Sequence, residues 1–187
     1  MTTRTALRRE LLRIDRLDAA LRSRWAASRF TDRTAGRAVD ELGTAALAWL
    51  REVVAAHGWP GRALVGVRAA RAAARLIQHA RSDVRFQRRC LRLIRRSAAR
   101  GDVPWHEVAY LTDALRIAAG RRQLYGTKFH RRGHALVPLP IERAAGVDRR
   151  RAAVGLPPLA VYARRIQKRF GGAVGAAAGA AAGGAVG

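Results

Sequence analysis

Residues 3–28 read TRTALRRELLRIDRLDAALRSRWAAS, and this stretch decides how the fold begins. Apolar residues recur in it every three or four positions, at Leu7, Leu11, Ile14, Leu17, Leu21 and Trp25. On a helix this spacing forms one apolar stripe and leaves the arginines on the opposite face. The stretch therefore predicts a long amphipathic helix that packs against other helices.

The same helical period returns in four further stretches before residue 120. They predict helices at about 38–56, 69–80, 83–100 and 102–119. Gly58 and Pro60 mark the end of the second helix, because glycine ends helices and proline cannot continue them. Asp102 is a candidate N-cap for the fifth helix, with Pro104 in its first turn.

The helical period fails between Gly120 and Gly146, where glycines and prolines interrupt the chain. The short apolar run Leu136–Ile141 suits a strand or one arm of a hairpin. Two further helices are expected at 147–154 and 159–170. The chain is therefore predicted to be mainly α, a compact multi-helix domain of about six or seven helices, with an irregular loop or small hairpin near 120–145.

Three segments are expected along the chain. Residues 1–36 form an N-terminal amphipathic helix and linker, residues 37–170 the main helical domain, and residues 171–187 a Gly/Ala low-complexity tail. Glycine recurs every fourth residue in the tail, a pattern that suits close helix pairing in a membrane or between copies. Because glycine costs a helix about 1 kcal/mol per residue, a disordered tail is the favoured interpretation.

The charge of the chain is strongly positive. Lysine and arginine total 37 against 13 acidic residues, a net charge of +24, and only Lys128 and Lys168 are lysines. Such a surface attracts polyanions, so non-specific nucleic acid or an anionic surface is a possible partner. The alternative is that the arginines simply cover solvated helix faces, since arginine favours helices.

Several classes of function lack support. The lone Cys90 excludes an intrachain disulfide. The polar N-terminus and the absence of a long apolar run predict a cytoplasmic chain with no membrane span. The five histidines form no zinc-binding pattern, so no metal site is predicted. No nucleotide-binding or hydrolase motif occurs, which leaves the cofactor and the reaction unknown.

A set of amide, imidazole and phenol side chains stands out against the arginine, alanine and leucine around it. We predict that it lines a pocket for a small or peptide-like ligand. The candidate catalytic residues are His79 and Asp113, and the candidate ligand-binding residues are Gln78, Gln87, Gln123, Tyr125, Gly126, Thr127 and Lys128.

Each residue type has a chemical reason to be in such a pocket. His79 can exchange a proton near neutral pH if Asp83 or Asp113 sets its tautomer. The glutamines both donate and accept hydrogen bonds, and Lys128 offers a charge to a carboxylate or phosphate. The alternative is structural: a histidine held by helix contacts, and a polar network that ties the 120–134 loop to the helices.

The order of several motifs resembles a bacterial domain family of unknown function between about residues 58 and 162. The motifs are Gly58-Trp59-Pro60, Gln78-His79-Ala80, Phe86-Gln87, Tyr110-Leu111-Thr112-Asp113, Gln123-Leu124-Tyr125-Gly126-Thr127 and Val147-Asp148-Arg149-Arg150. The resemblance sharpens the map of the site but supplies no chemistry.

This chain departs from the family pattern at three positions. Ala114 replaces an arginine, Lys128 replaces a second glutamine, and Arg81 stands near the place of an aspartate. The departures suit a site that is impaired or retuned toward an anionic ligand. Three functions stay open at this stage: a ligand-binding domain with acid–base chemistry at His79, an arginine-rich nucleic-acid or polyanion-binding accessory protein, and a structural or partner-docking module.

Overall fold

The computed structural model describes residues 3–28, 31–80, 83–133 and 135–170. Within these ranges the chain forms seven α-helices and one antiparallel hairpin. The helices are α1 Arg4–Ala27, α2 Arg33–His57, α3 Arg62–His79, α4 Val84–Ala99, α5 Trp105–Ala118, α6 Val147–Ala152 and α7 Leu159–Phe170, and the strands are β1 Phe129–Arg132 and β2 Ala135–Pro138. The predicted mainly α fold with a small hairpin is confirmed.

Helix α3 lies at the centre of the fold, where α1, α2, α4 and α5 all contact it. Most of its buried positions are occupied by alanines, and Ala69, Ala72 and Ala73 are almost completely buried. Small side chains at a helix contact let the neighbouring helices approach closely. The alanine content of α3 therefore explains how one helix accommodates neighbours on several sides.

Helix α1 is part of this core. Leu7, Leu11 and Ile14 are buried and belong to the same apolar cluster as residues of α2 to α5. The predicted stripe does not stay buried along its whole length, because Leu17 is 41% exposed. The next residue, Asp18, is buried instead of Leu17.

Helix α2 begins five residues before its predicted position. Helix α3 begins at Arg62, but Gly66 (φ +79°) is non-helical and separates the first turn from the continuous helix that follows, which begins within two residues of the predicted start. The side chain of Asp32 caps α2 by accepting a hydrogen bond from Ala35 N at 2.9 Å. Helix α3 is capped from elsewhere in the chain, because Asp102 Oδ1 accepts a hydrogen bond from Ala63 N at 2.7 Å. The prediction that Asp102 caps the fifth helix is therefore wrong, and Pro104 is at that position.

The region after residue 120 is irregular but well connected. Strand β1 pairs with β2 from Phe129 opposite Pro138 to Arg132 opposite Ala135, and α7 packs on β2. Asp148 on α6 accepts a hydrogen bond from Leu159 N, at the start of α7, at 2.7 Å. The C-terminal elements are therefore tied to one another through polar contacts.

The predicted boundary between residues 36 and 37 falls inside α2, and the tail 171–187 lies outside the described residues. No helix in the described ranges is long and apolar enough to cross a membrane. Burial of the Cys90 thiol raises its pKa to about 12, so this cysteine is a poor nucleophile.

Candidate functional site

The nine residues that the sequence predicted for one pocket lie in three groups and at one separate position. The first group, here called the loop anchor, surrounds Asp113 and contains Gln123, Tyr125, Gly126, Thr127 and also Arg151. The second, the Glu107 cluster, contains Gln78, Glu107 and Lys128. The third is the pair His79–Asp18, and Gln87 lies apart from all three.

Asp113 is the centre of the loop anchor and is completely buried on α5. Its Oδ1 accepts hydrogen bonds from Leu124 N at 2.7 Å and Tyr125 N at 3.1 Å. Its Oδ2 accepts from Thr127 N at 3.0 Å and from Thr127 Oγ1 at 2.9 Å. Both oxygens are thus occupied by the loop, and the contacts of this carboxylate position the segment that follows Gln123.

Gln123 is also completely buried and uses its whole amide group. Its Nε2 donates to Lys128 O at 2.9 Å and Leu139 O at 2.7 Å, and its Oε1 accepts from Lys128 N at 2.8 Å. These contacts close the loop from residue 123 to 128 and join it to the chain after β2. They match the structural alternative, in which the polar network ties the loop to the helices.

Arg151 holds the other side of the loop from α6. The residue is fully buried, its Nε donates to Pro157 O at 2.6 Å, and its Nη1 donates to Tyr125 O. The guanidinium lies over the Tyr162 ring, 4.9 Å from the centroid. Burial lowers the pKa of Arg151, while the nearby tyrosines and acids oppose that shift.

Gln87 supports the end of α3. Its buried Nε2 donates to Ile77 O at 2.8 Å. Ile77 is in the last turn of α3, where backbone carbonyls find no N–H donor within the helix. Gln87 therefore fixes the turn from which the next two side chains, Gln78 and His79, project.

Gln78 and His79 point in different directions because neighbouring helical residues are about 100° apart. Gln78 faces α5, where its Nε2 donates to Glu107 Oε2 at 3.3 Å. Lys128 Nζ lies 3.5 Å from Gln78 Oε1. One amide thus bridges a carboxylate and an ammonium group.

Glu107 is the residue of this cluster that the sequence analysis missed. Burial raises its pKa to about 6, although the positive charges of Arg75, Arg71 and Lys128 oppose the shift. His106 Nε2 is 3.6 Å from its Oε1. A signal existed in the sequence, since Glu107 lies four residues before the apolar Leu111 and therefore on the apolar side of α5.

His79 faces α1, and its Nδ1 lies 2.8 Å from Asp18 Oδ2. Asp18 is buried, and Arg22 Nε donates to its Oδ1 at 2.8 Å. Burial raises the pKa of Asp18, but His79 and Arg22 outweigh it, so the pKa is lowered overall. Because the ionised carboxylate only accepts hydrogen bonds, Nδ1 must carry a proton and Nε2 is the nitrogen that can exchange one.

The partner of His79 differs from the two that the sequence suggested. Asp113 belongs to the loop anchor, and Asp83 caps α4 by accepting from Phe86 N at 2.9 Å while it also pairs with Arg51. Asp18 could have been noticed, because it lies four residues after the buried Ile14 on the apolar side of α1.

Arg75 lies between the second and third groups. Its guanidinium forms two hydrogen bonds of 2.7 Å with Asp15, which raise its pKa. The negative charges of Glu107 and Asp18 also raise the pKa of Arg75. The Glu107 cluster and the His79–Asp18 pair are therefore electrostatically linked across α3.

An open hollow of about 600 Å³ lies elsewhere on the surface, beside α2 and the start of α4. Its walls are formed by Thr44, Leu47, Ala48, Arg51, Glu52 and Asp83. None of the nine predicted residues lines it. The described residues also contain no group of three or more histidine, cysteine or acidic side chains placed to hold a metal ion.

The model of a family of unknown function, DUF6624, matches residues 5–175. The match confirms the expectation of a domain family of unknown function, and it extends further than the motifs that suggested it, so that it includes α1. No curated protein and no solved structure matches the chain.

Proposed function

This chain belongs to the family of unknown function DUF6624, and we propose that it binds a small or peptide-like ligand at the C-terminal end of α3, with acid–base chemistry at His79. One observation carries the proposal: the 2.8 Å contact between His79 Nδ1 and the buried carboxylate of Asp18. A histidine held in this way has a fixed ring orientation and one defined nitrogen for proton exchange.

Asp18 has two chemical roles in this proposal. It fixes the proton on Nδ1, so the lone pair of the neutral ring is on Nε2 and can accept a proton from a ligand. It also stabilises the imidazolium that forms after proton transfer, because the opposite charges are adjacent. Arg22 keeps Asp18 ionised and in place through the hydrogen bond at 2.8 Å.

The Glu107 cluster supplies the contacts that would select a ligand. Gln78 offers an amide, and Lys128 offers a charge that attracts a carboxylate or phosphate group. Arg75 is paired with Asp15, but the positive charges of Arg71 and Lys128 still outnumber Glu107, so the local charge favours an anionic ligand. A carboxyl group with a pKa of about 6 can also change its protonation state near neutral pH.

A thermal-shift screen tests the proposal with amino acids, dipeptides, dicarboxylates and nucleotides as separate probe classes. We expect one class to raise the Tm of the wild type, because a ligand that binds only the folded state stabilises it by about 2.7 kcal/mol at a hundred times its Kd. The shift should be lost in His79→Ala and reduced in Gln78→Ala.

His57→Ala is the matched control, since His57 is an exposed histidine at the end of α2. It should keep the full ligand-induced shift. Absence of stabilisation by every class, or an unchanged shift in His79→Ala, would reject the proposal.

A further inference from the structure

Helix α4 presents a face of arginines to solvent. At about 100° per residue these side chains fall within a sector about 120° wide, opposite the buried side that contains Phe86, Cys90 and Ile94. The exposed residues of this face, here called the α4 arginine face, are Arg85, Arg88, Arg89, Arg92, Arg95 and Arg96.

The six arginines of the α4 arginine face have no acidic partner on their own helix. Helix α4 contains no aspartate or glutamate, and none of the six arginines forms an ion pair with a residue that the structure describes. Helix α1 is different, because its arginines alternate with acids and two of them pair with Glu10 and Asp18. Positive charge is therefore concentrated on α4 beyond what a general excess of arginine produces.

We propose that the α4 arginine face binds the phosphate backbone of double-stranded nucleic acid without sequence preference. The proposal goes beyond the ligand site at His79 and does not depend on it. From Arg85 to Arg96 the face is about 16 Å long, since each helical residue rises about 1.5 Å. A duplex carries one phosphate charge per about 1.7 Å of its axis, so several guanidinium groups meet phosphates together.

Arginine suits this partner because its planar guanidinium forms paired hydrogen bonds with phosphate oxygens. A single strand is a poorer fit, since proteins that bind single strands stack bases on exposed aromatic rings and the aromatic residue of α4, Phe86, is buried.

A membrane surface is also a poorer fit. Helices that lie on bilayers insert an apolar face, whereas the apolar face of α4 is packed in the protein core. The large apolar side chains that the described residues expose are Leu17, Val67, Trp105 and Phe170, and none of them is on α4.

Fluorescence anisotropy across a salt series tests the proposal with labelled DNA and RNA duplexes of equal length. The test variant is Arg85→Gln/Arg88→Gln/Arg92→Gln. The control variant, Arg4→Gln/Arg8→Gln/Arg16→Gln, removes the same charge from exposed positions of α1. We expect the test variant to reduce the slope of log K against log salt by about 0.9 per arginine, and the control to keep the wild-type slope.

A second variant, Arg95→Gln/Arg96→Gln, keeps the test decisive if the first is poorly folded, and it should reduce the slope by about 1.8. His79→Ala should bind duplexes as the wild type does, which separates this proposal from the ligand site. Equal losses in the α1 and α4 variants would show general charge attraction and overturn the proposal. Binding of phosphatidylserine vesicles through α4, without binding of either duplex, would also overturn it.

Discussion

At the scale of single residues, three buried acids differ because their neighbours differ. Asp113 is surrounded by backbone N–H groups and a hydroxyl, so it organises a loop. Asp18 is paired with His79 and Arg22, which keep its pKa low despite burial. Glu107 receives one amide hydrogen bond, and burial dominates its pKa. The chemistry of each carboxylate is thus decided by its donors.

The raised pKa of Glu107 predicts how stability depends on pH. The pKa of this group is about 6 in the folded chain and 4.5 ordinarily, so the folded state binds more protons between these values. The free energy of unfolding therefore falls as pH rises through this window, by about 2 kcal/mol for this group. Urea unfolding should show this loss between pH 4.5 and pH 7 in the wild type relative to Glu107→Gln.

The comparison between the two proteins isolates Glu107, because the other acids titrate in both. Glu41→Gln provides the control, since Glu41 is exposed on α2 and its removal should leave the wild-type pH profile unchanged. Parallel profiles for the wild type and Glu107→Gln would contradict the prediction.

At the scale of secondary-structure elements, several helices are completed by distant residues. Asp102 caps the start of α3 by accepting a hydrogen bond from Ala63 N, 39 residues earlier in the sequence. At the other end of α3, Gln87 donates a hydrogen bond to Ile77 O. Asp148 on α6 caps the start of α7. The end of α3 is therefore fixed by other elements, which matters because Gln78 and His79 project from it.

Gly126 joins the loop anchor to α7 and predicts a site-specific cost. Its φ is +66°, and a Cβ there would lie 2.8 Å from Leu159 Cδ1 and 2.9 Å from Ile141 Cδ1. Gly126→Ala therefore combines a left-handed backbone with overpacking, which typically costs about 1–3 kcal/mol. We expect a correspondingly lower urea midpoint.

Gly155→Ala separates the two effects. Gly155 also has a positive φ, +72°, but no atom lies within 4 Å of a Cβ built there. Gly155→Ala should show only the cost of the left-handed backbone. Gly126→Ala should be less stable than Gly155→Ala by up to about 1 kcal/mol, because the terminal methyl groups of the half-buried Leu159 and Ile141 must shift. Equal stability of the two variants would show that Leu159 and Ile141 move aside freely.

At the scale of the whole molecule, α1 is packed into the common core and contributes Asp18 to the candidate site. Leu11 on α1 is completely buried in the cluster that also contains residues of α2 to α5. Leu11→Ala should therefore destabilise the whole domain by about 3 kcal/mol. Urea unfolding followed by far-UV circular dichroism and by tryptophan fluorescence should shift together as one transition.

Leu17→Ala is the control for this experiment, because Leu17 is on the same helix but 41% exposed. Its free energy of unfolding should stay within about 0.5 kcal/mol of the wild-type value. Two separate transitions in Leu11→Ala would mean that α1 unfolds as an independent arm, as the predicted division at residue 36 implies.

The sequence by itself determined the helical class, the hairpin region and the membership in a family of unknown function. Local spacing is enough for these, since the apolar stripe of α1 and the glycines after residue 120 act through neighbours in the chain. It also pointed to polar residues such as Gln78, His79 and Asp113, because their chemical type is unusual in this composition.

Only the tertiary structure decided what those residues contact. Gln78 and His79 are adjacent in sequence, yet the helix turns one toward Glu107 and the other toward Asp18, 61 residues away. Hydrogen bonds and burial depend on which elements pack together, and no local pattern records that α3 lies between α1 and α5. For this reason the sequence indicated which polar residues matter, but packing divided them among the loop anchor, the Glu107 cluster and the His79–Asp18 pair and left Gln87 apart.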